Sequence, residues 1–291
     1  MAITVHSIHA FSHNGQGGNP AGLVLHSEHL DRKTKQQIAR IVGYSETAFI
    51  EKSNTADFKI SFFTPKEEVD LCGHATIGSF SYMLSKNLLT FGKYSIETKN
   101  DILQIQINEN STVSLFQPLP QFFDILPLDE VADSLDITPD QLMKELPIQI
   151  VSTGLRDILI PIKNRDILST ITPDFSKITR ISEKYNVIGY HLFTLDTVSE
   201  KSTAHCRNFA PLYDIPEESA TGTSNGALSC YLHQYNILNN NRSPLIFEQG
   251  FTMNQPSRIQ VELRIDSFGK IIAVKVGGNA RINKDILLEV E

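Results

Sequence analysis

Residues 73–84 read GHATIGSFSYML, and residues 222–232 read GTSNGALSCYL. Both segments begin with glycine and other small residues and continue into a run that is apolar around its whole circumference, which is typical of a buried helix. Strand-like segments precede and follow each of them. The chain therefore has the pattern of a diverged duplication, in which each half places strands around one buried helix.

The segment between the two halves is residues 117–120 (QPLP), where two prolines interrupt any strand ladder or helix. Before it, the pattern predicts a helix over residues 30–42 that ends at Gly43, and strands at 3–8, 21–25, 47–50, 57–63, 95–107 and 111–116. After it, the pattern predicts helices at 128–135 and 139–146, and strands at 148–151, 158–162, 190–195 and 204–209. The pattern also predicts a terminal hairpin of residues 258–265 and 270–276.

Composition excludes several classes of protein. The 291 residues suffice for two hydrophobic cores, and 41% apolar with 20% charged residues is an ordinary globular balance. A net charge of −7 does not favour nucleic acid as a partner. No apolar run approaches the ~18 residues of a membrane span, and the first residues lack a signal-peptide pattern. Three cysteines without a CxxC pair indicate a reducing compartment, so we expect a cytoplasmic protein with no membrane partner.

The two glycine-rich helix starts are candidate anion sites. The first N–H groups of a helix lack partners within the helix, and the helix dipole is positive there. Glycine lets a carboxylate or phosphate approach these groups closely. Small residues also begin helices for purely structural reasons, so both interpretations stay open. Neither start is a P-loop, because no Lys-Ser or Lys-Thr pair follows Gly226.

Cys72 and His74 lie two positions apart across Gly73. Residues i and i+2 at a turn do not share a helix face, and no other Cys/His cluster is near in sequence, so no metal site is predicted. The Cys72 thiol is either a nucleophile activated by the helix N-terminus or a small buried side chain.

Glu46 is a carboxylate at the start of an apolar strand. If it is buried, its charged form is disfavoured and it becomes suited to proton transfer; the alternative is a solvent-facing residue at a strand start. Glu217 and Glu218 precede the second helix start. They are either a solvated pair or a second acidic group beside the anion cradle.

Eight short motifs in order resemble the PhzF-like (phenazine-biosynthesis-like) family of the diaminopimelate-epimerase superfamily. The resemblance extends over residues 3–282. The motifs are GNPAG at 18–22, SETAF at 45–49, FTP at 63–65, LCGHAT at 71–76, STG at 152–154, RNFAP at 207–211, ATGT at 220–223 and FEQG at 247–250.

The resemblance implies an α+β, diaminopimelate-epimerase-like fold with two similar domains, each a β-barrel-like sheet around one central helix. The expected domains are residues 1–117 with a C-terminal segment of about 278–291, and residues 118–277. The active site would lie in the cleft between them. Epimerases of the superfamily use two cysteines as base and acid; Cys72 falls at the first position, but Thr221 stands at the second, which disfavours a two-thiol racemase.

The resemblance further implies a cofactor-independent isomerase of the kind that acts on trans-2,3-dihydro-3-hydroxyanthranilate. Glu46 would be the general acid/base, with His74 and Glu218 as further catalytic groups. No cofactor or metal is implied, and a homodimer that binds a small carboxylate-bearing substrate is expected. The implied substrate-binding residues are Asn19, Ser45, Cys72, Gly73, Thr221, Gly222 and Thr223.

The chain also departs from the family pattern. The usual Glu-Asp-Pro-Ala-Thr-Gly-Ser is replaced by residues 217–223, EESATGT, so that Glu218 stands where an aspartate is common. Residues 253–257, MNQPS, lack the usual arginine. Two alternatives therefore stay open: a one-thiol racemase or epimerase that uses Cys72, and a non-catalytic small-molecule-binding relative.

Overall fold

A computed structural model describes residues 1–238 and 243–290; residues 239–242 and 291, which the predicted domain ranges include, lie outside the described residues. The strands are β1 (Ala2–Ala10), β2 (Asn19–Val24), β3 (Glu46–Glu51), β4 (Phe58–Phe63), β5 (Glu68–Val69), β6 (Gly92–Glu97), β7 (Ile102–Ile107), β8 (Val113–Gln117), β9 (Gln121–Ile125), β10 (Gln149–Ser152), β11 (Arg156–Pro161), β12 (Gly189–Thr194), β13 (Ala204–Ala210), β14 (Ile215–Glu218), β15 (Leu245–Gln249), β16 (Ser257–Ile265), β17 (Ile271–Gly278), β18 (Ala280–Ile282) and β19 (Ile286–Glu289). The helices are α1 (Arg32–Val42), α2 (Gly73–Ser85), α3 (Leu128–Ser134), α4 (Arg165–Thr170), α5 (Phe175–Tyr185) and α6 (Gly222–Gln234).

The chain divides into two compact units. Unit 1 is residues 1–116 together with the C-terminal segment that begins at Gly277, and unit 2 is residues 117–276. Both units are mixed α+β and dominated by strands, which confirms the predicted fold class. In the described residues no helix is long and apolar enough to cross a membrane.

In unit 1 the C-terminal strands β18 and β19 both pair with β1, and β1 pairs with β2. The ladder continues from β2 to β3 in parallel, from β3 to β4 antiparallel, and from β4 to β6 in parallel, with β5 as a short antiparallel partner of β4. Strands β6, β7 and β8 follow antiparallel to one another. The α1 helix lies in the β2–β3 crossover, where Asp31 caps its N-terminus and Gly43 ends it at a φ of 69°.

Unit 2 repeats this order of pairings. Strand β10 pairs antiparallel with β11, β11 in parallel with β12, and β12 antiparallel with β13. Strand β13 then has β14 as a short antiparallel partner and β15 as a parallel one, and β15 pairs antiparallel with β16. The same sequence of directions in both units supports the duplication that the two helix segments indicate.

Each unit buries one helix against its strands. The α2 helix contacts β1, β2, β3 and β18, and α6 contacts β10, β11 and β16. Both helices have 13 residues, and nearly the whole circumference of each is buried. A helix that is apolar on all sides has no solvent face to offer, which explains why strands surround it.

The structure differs from the sequence-based assignments at several places. Residues 95–107, expected as one strand, form β6 and β7 with a turn in which Thr98 N–H donates to the Asp101 carbonyl. The predicted helix at 139–146 is wrong: only Pro139–Gln141 form a 3-10 turn, and Leu142 then bridges to Ile162. The sequence patterns do not predict helices α4 and α5, although Asn164 and Asp174 cap them.

A buried carboxylate fastens the loop after β12 to strand β15. Glu248 is 5% exposed and accepts hydrogen bonds from Val198 N at 2.8 Å, Ser199 N at 2.8 Å, Ser202 Oγ at 2.7 Å and His205 Nδ1 at 3.0 Å. Burial by itself raises the pKa of a carboxyl group, but these four donors outweigh it and lower the pKa of Glu248 to about 2.

Candidate functional site

Glu46 and His74 lie side by side in unit 1. Glu46 begins β3, and its side chain is 14% exposed. His74 lies in the first turn of α2 and is 6% exposed. Glu46 Oε2 is 3.3 Å from His74 Nε2, and it is buried without a hydrogen bond in the structure. A buried carboxylate oxygen without a hydrogen-bond donor is uncommon in folded proteins and calls for a functional explanation.

Cys72 joins the same cluster from the N-cap position of α2. Its backbone is extended, with φ −137° and ψ 108°, and its Sγ accepts a hydrogen bond from Ala75 N at 3.4 Å. Sγ also lies 3.4 Å from His74 Nδ1. The spacing argument against a shared metal ion therefore does not hold for this pair, because the extended Cys72 lets the two side chains turn toward each other.

Gly73 leaves open space at the start of α2. A methyl group added at its Cα meets no atom within 4 Å, and its φ is not in the left-handed region. Neither local backbone geometry nor packing within the chain requires glycine here. A helix N-terminus with open space before it suits a bound anion.

Ser45 and Asn19 lie at the starts of the paired strands β3 and β2, near Glu46. Ser45 precedes β3, and its Oγ is 3.4 Å from His74 Nε2. Asn19 is the first residue of β2 and is buried, two residues before Ala21, which pairs with Glu46 across the parallel ladder. Unit 1 thus brings Ser45, Glu46, Cys72 and His74 together and places Asn19 on the adjoining strand.

In unit 2, Glu218 and Thr221 are directly connected. Thr221 Oγ1 donates to Glu218 Oε2 at 2.9 Å, and Thr221 N donates to Gln249 Oε1 at 3.1 Å. Gln249 Nε2 in turn donates to the Glu218 carbonyl at 2.7 Å. The fully buried Gln249 thereby fixes the turn that leads into α6. Glu217 lies apart from Glu218, because it forms a bidentate ion pair with Arg207 at 2.9 Å in each bond.

Gly222 and Thr223 form the first turn of α6. Thr223 has its carbonyl hydrogen-bonded by Thr153 Oγ1 at 3.1 Å, and Gln117 Nε2 approaches its hydroxyl at 3.5 Å. Thr153 Oγ1 also contacts Gln117 Oε1 at 2.7 Å. The threonine of the 152–154 motif therefore anchors this helix start.

A buried polar network lies beneath the first turn of α6. Ser224 Oγ donates to Asp157 Oδ2 at 2.6 Å, and Asn208 Nδ2 lies within 3.3 Å of Ser224 Oγ. Burial raises the pKa of Asp157 to about 7, with a contribution from the negative charge of Glu218. Asn208 Nδ2 also donates to His191 Nδ1 at 3.2 Å, so the His191 proton lies on Nε2; burial lowers the pKa of His191 to about 4 and keeps it neutral.

Sequence reasoning missed Asp157 and His191. Each is a polar residue inside an otherwise apolar strand, in the segments RDILIP and GYHLFT. That interruption is the signal that could have drawn attention to them, because a polar side chain inside a buried strand needs a partner.

Comparison with known proteins agrees with this fold and these motifs. Residues 8–285 match the family described as phenazine biosynthesis-like protein. The chain is 33% identical to an uncharacterized isomerase of Bacillus subtilis, YfhB, over 97% of each chain. It is 31% identical to the uncharacterized isomerase YddE of Escherichia coli K12, over 91% of each chain. A crystal structure of a PhzF-family phenazine biosynthesis protein from Bacillus anthracis superposes with a TM-score of 0.91, at 31% identity and with complete coverage of both chains.

Likeness to more distant structures concerns the fold alone. A hydroxyproline epimerase from Agrobacterium vitis superposes with a TM-score of 0.60 at 11% identity, covering 99% of this chain and 92% of the other. The class of protein is therefore that of enzymes with the fold shared by PhzF proteins and proline-racemase-like epimerases. Within that class, the chain belongs to the PhzF-like family of isomerases.

Proposed function

We propose that this protein is a cofactor-independent isomerase that moves a proton on a small carboxylate-bearing substrate, with Glu46 as the general acid/base. The observation that carries the proposal is the Glu46 carboxylate oxygen, which is buried, without a hydrogen-bond donor and 3.3 Å from His74 Nε2. No hydrogen bond has to be broken before this carboxylate oxygen contacts a substrate. The oxygen is therefore suited to take a proton from carbon.

In the proposed reaction, one carboxyl group both removes the proton and returns it. The ionised Glu46 takes a proton from a C–H bond, and the electron pair of that bond moves into the conjugated system of the substrate. The resulting carboxylic acid then gives the proton back at another carbon, so that no net acid or base is consumed. We propose a substrate of the trans-2,3-dihydro-3-hydroxyanthranilate type, in which a carboxylate, an amine and a hydroxyl surround such a system.

His74 and the start of α2 are suited to hold the charge that develops. The His74 ring lies beside Glu46 and can donate a hydrogen bond to it or to the substrate. The start of α2 has open space at Gly73, and the positive end of the helix dipole there can bind a carboxylate. In unit 2 we propose the same role for Gly222 and Thr223, with Glu218 and Thr221 as an acidic and a hydroxyl contact for polar groups of the substrate.

The test measures deuterium incorporation from D2O into trans-2,3-dihydro-3-hydroxyanthranilate by NMR. Glu46→Gln is expected to reduce it roughly 10²- to 10⁴-fold, because general acid–base catalysis contributes that much. Glu68→Gln in β5 of the same unit is the matched control and is expected to keep the wild-type rate. Undiminished exchange in folded Glu46→Gln would remove Glu46 from the role of acid/base.

A second candidate function rests on the Cys72 thiol, whose Sγ lies 3.4 Å from His74 Nδ1. A thiolate beside an imidazole can abstract a proton at a carbon next to a carboxylate, as a one-thiol racemase requires. Cys72→Ser decides between the candidates. Full activity in Cys72→Ser excludes the thiol mechanism, whereas loss in Cys72→Ser together with retained activity in Glu46→Gln selects it.

A non-catalytic relative is the remaining outcome, and it would bind carboxylates in a thermal-shift screen without any solvent exchange. We also propose that the protein is a homodimer, which light scattering after gel filtration measures directly.

A further inference from the structure

Three different kinds of ligand atom lie close together in unit 1, on Glu46, Cys72 and His74. A carboxylate oxygen, a thiol sulfur and an imidazole nitrogen all lie within 4.8 Å of one another. In the described part of the chain, it is the one group of three or more such residues with this spacing. We propose that this cluster is a binding site for a thiophilic divalent cation such as Zn²⁺, which occupies the acid/base carboxylate.

The distances are close to those that a tetrahedral ion imposes. Zinc bonds of ~2.0 Å to oxygen and nitrogen and ~2.3 Å to sulfur place tetrahedral ligand atoms about 3.3–3.6 Å apart. Glu46 Oε2 and His74 Nε2 are 3.3 Å apart, and Cys72 Sγ is 3.9 Å from the same nitrogen. The thiol–imidazole distance has to shorten slightly, and the carboxylate–thiol gap, which is within 4.8 Å, also has to close. Glu46 Oε2 has no hydrogen bond that would oppose such a rotation.

The ligand set selects the kind of cation. One thiolate and one imidazole favour Zn²⁺, Cd²⁺ or Co²⁺ over Mg²⁺ and Ca²⁺, which prefer oxygen ligands. Three protein ligands leave one tetrahedral position for water or for an atom of the substrate. The hydrogen bond from Ala75 N–H to Cys72 Sγ at 3.4 Å holds the sulfur at the start of α2, beside the His74 ring.

The surroundings support the ligands and allow access. Ser45 Oγ lies 3.4 Å from His74 Nε2, so it can contact either the ring or a metal-bound water. Cys72 and His74 are almost completely buried, while the Glu46 side chain retains 14% exposure. The open space in front of Gly73 adjoins the same helix start. A cation can therefore enter at the carboxylate and find the two softer ligands behind it.

Binding of the cation stands on the geometry alone, whereas inhibition of proton transfer rests on the proposed function. A metal-bound Glu46 carboxylate cannot accept a proton from carbon. We therefore expect Zn²⁺ to abolish exchange at one equivalent per active chain, and a chelator to restore it.

The test titrates Co²⁺ into the full-length protein after treatment with a chelator, and follows the thiolate-to-cobalt charge-transfer band and the intense visible bands of tetrahedral cobalt. We expect one equivalent per chain, displacement by Zn²⁺ and no displacement by Mg²⁺. Cys72→Ala is expected to remove the charge-transfer band, and Glu46→Gln and His74→Asn to weaken binding at least tenfold each. Cys230→Ala, which removes a buried thiol of α6, is the matched control and is expected to bind as the wild type does.

The proposal is overturned if stoichiometric Co²⁺ gives no charge-transfer band, or if the band persists in Cys72→Ala. If Cys72→Ala does not fold, the Co²⁺ affinity of folded Glu46→Gln decides, and wild-type affinity there refutes the site. Cobalt binding without inhibition of exchange would retain the metal site and refute the role of Glu46 in proton transfer, so the two proposals fail separately.

Discussion

Replacing Asp157 by asparagine should make the folding stability of the protein less sensitive to rising pH. The carboxyl group is 2% exposed, and its pKa is raised from 3.8 to about 7 because burial disfavours its charged form. The unfolded chain therefore loses this proton at lower pH than the folded chain does, and stability falls as pH rises from about 4 to about 7. Complete ionisation of the folded form costs on the order of 4 kcal/mol. Between pH 5 and pH 8 the loss is roughly 2–3 kcal/mol.

Asparagine keeps the shape of the side chain and an oxygen that accepts from Ser224 Oγ, which donates to Asp157 at 2.6 Å. It carries no charge at any of these pH values. The difference in unfolding free energy between Asp157→Asn and the wild type should therefore move by roughly 2–3 kcal/mol in favour of the variant from pH 5 to pH 8.

Urea unfolding at pH 5, 6, 7 and 8 measures this difference, followed by far-UV circular dichroism because the chain contains no tryptophan. Asp124→Asn on β9 is the control, since Asp124 is an exposed aspartate of the same unit. Its difference from the wild type should stay within about 0.5 kcal/mol at every pH. If the Asp157→Asn difference changes by less than about 1 kcal/mol across the series, Asp157 is not a buried carboxyl group that ionises near neutrality.

Glu248→Gln should lower the free energy of unfolding by about 3 kcal/mol at pH 7, because an amide cannot accept from all four donors and leaves a buried N–H unpaired. The difference in unfolding free energy between the wild type and Glu248→Gln is complete above the ordinary glutamate pKa, and it should shrink as pH falls through 4.5 toward about 2. Calorimetry that finds the same difference at pH 3 and at pH 7 contradicts this prediction. Gly73→Ala should leave the thermal midpoint within a few degrees of wild type, since the new methyl group meets no atom, but should lower kcat/KM for solvent exchange by occupying the space for the ligand. Unchanged kcat/KM in Gly73→Ala would mean that no ligand approaches this helix start.

Local patterns predict much of this fold, and they fail where a distant partner decides. Gly43 ends α1 as its position predicts, because a left-handed C-cap is a property of a few consecutive residues. Residues 142–146 do not continue a helix, because Met143 N–H pairs with the Pro161 carbonyl. That hydrogen bond comes from tertiary packing and has no counterpart in helical periodicity.

The candidate site follows the same rule. The SETAF and GHAT motifs predict Glu46 and His74 as functional residues, and the structure brings their side chains to 3.3 Å. Asp157 accepts a hydrogen bond from Ser224, which lies 67 residues away in the sequence, and no local sequence feature predicts this pairing. Helix spacing does not predict the Cys72–His74 contact, because Cys72 is an extended N-cap residue outside the helix.

The repeated topology also shows that the two units differ at the position of Glu46. The first parallel pair is Ala21 with Glu46 in unit 1 and Asp157 with Gly189 in unit 2, so Gly189 occupies the position of Glu46. A side chain there is excluded, because a Cβ on Gly189 would lie 2.0 Å from the Phe209 carbonyl oxygen.

The N-caps of the two buried helices have nearly the same backbone, with φ and ψ of −137° and 108° at Cys72 and −122° and 105° at Thr221. A thiol on one helix thus corresponds to a hydroxyl on the other, and Thr221 donates its proton to Glu218. Inversion of a carbon centre by two bases needs a matched titrating group on each face of the substrate. In the proposed mechanism Glu46 is the acid/base, and the corresponding position of unit 2 is Gly189, so the same carboxyl group takes and returns the proton. The proposed mechanism therefore favours migration of a proton along one face of the substrate over racemisation.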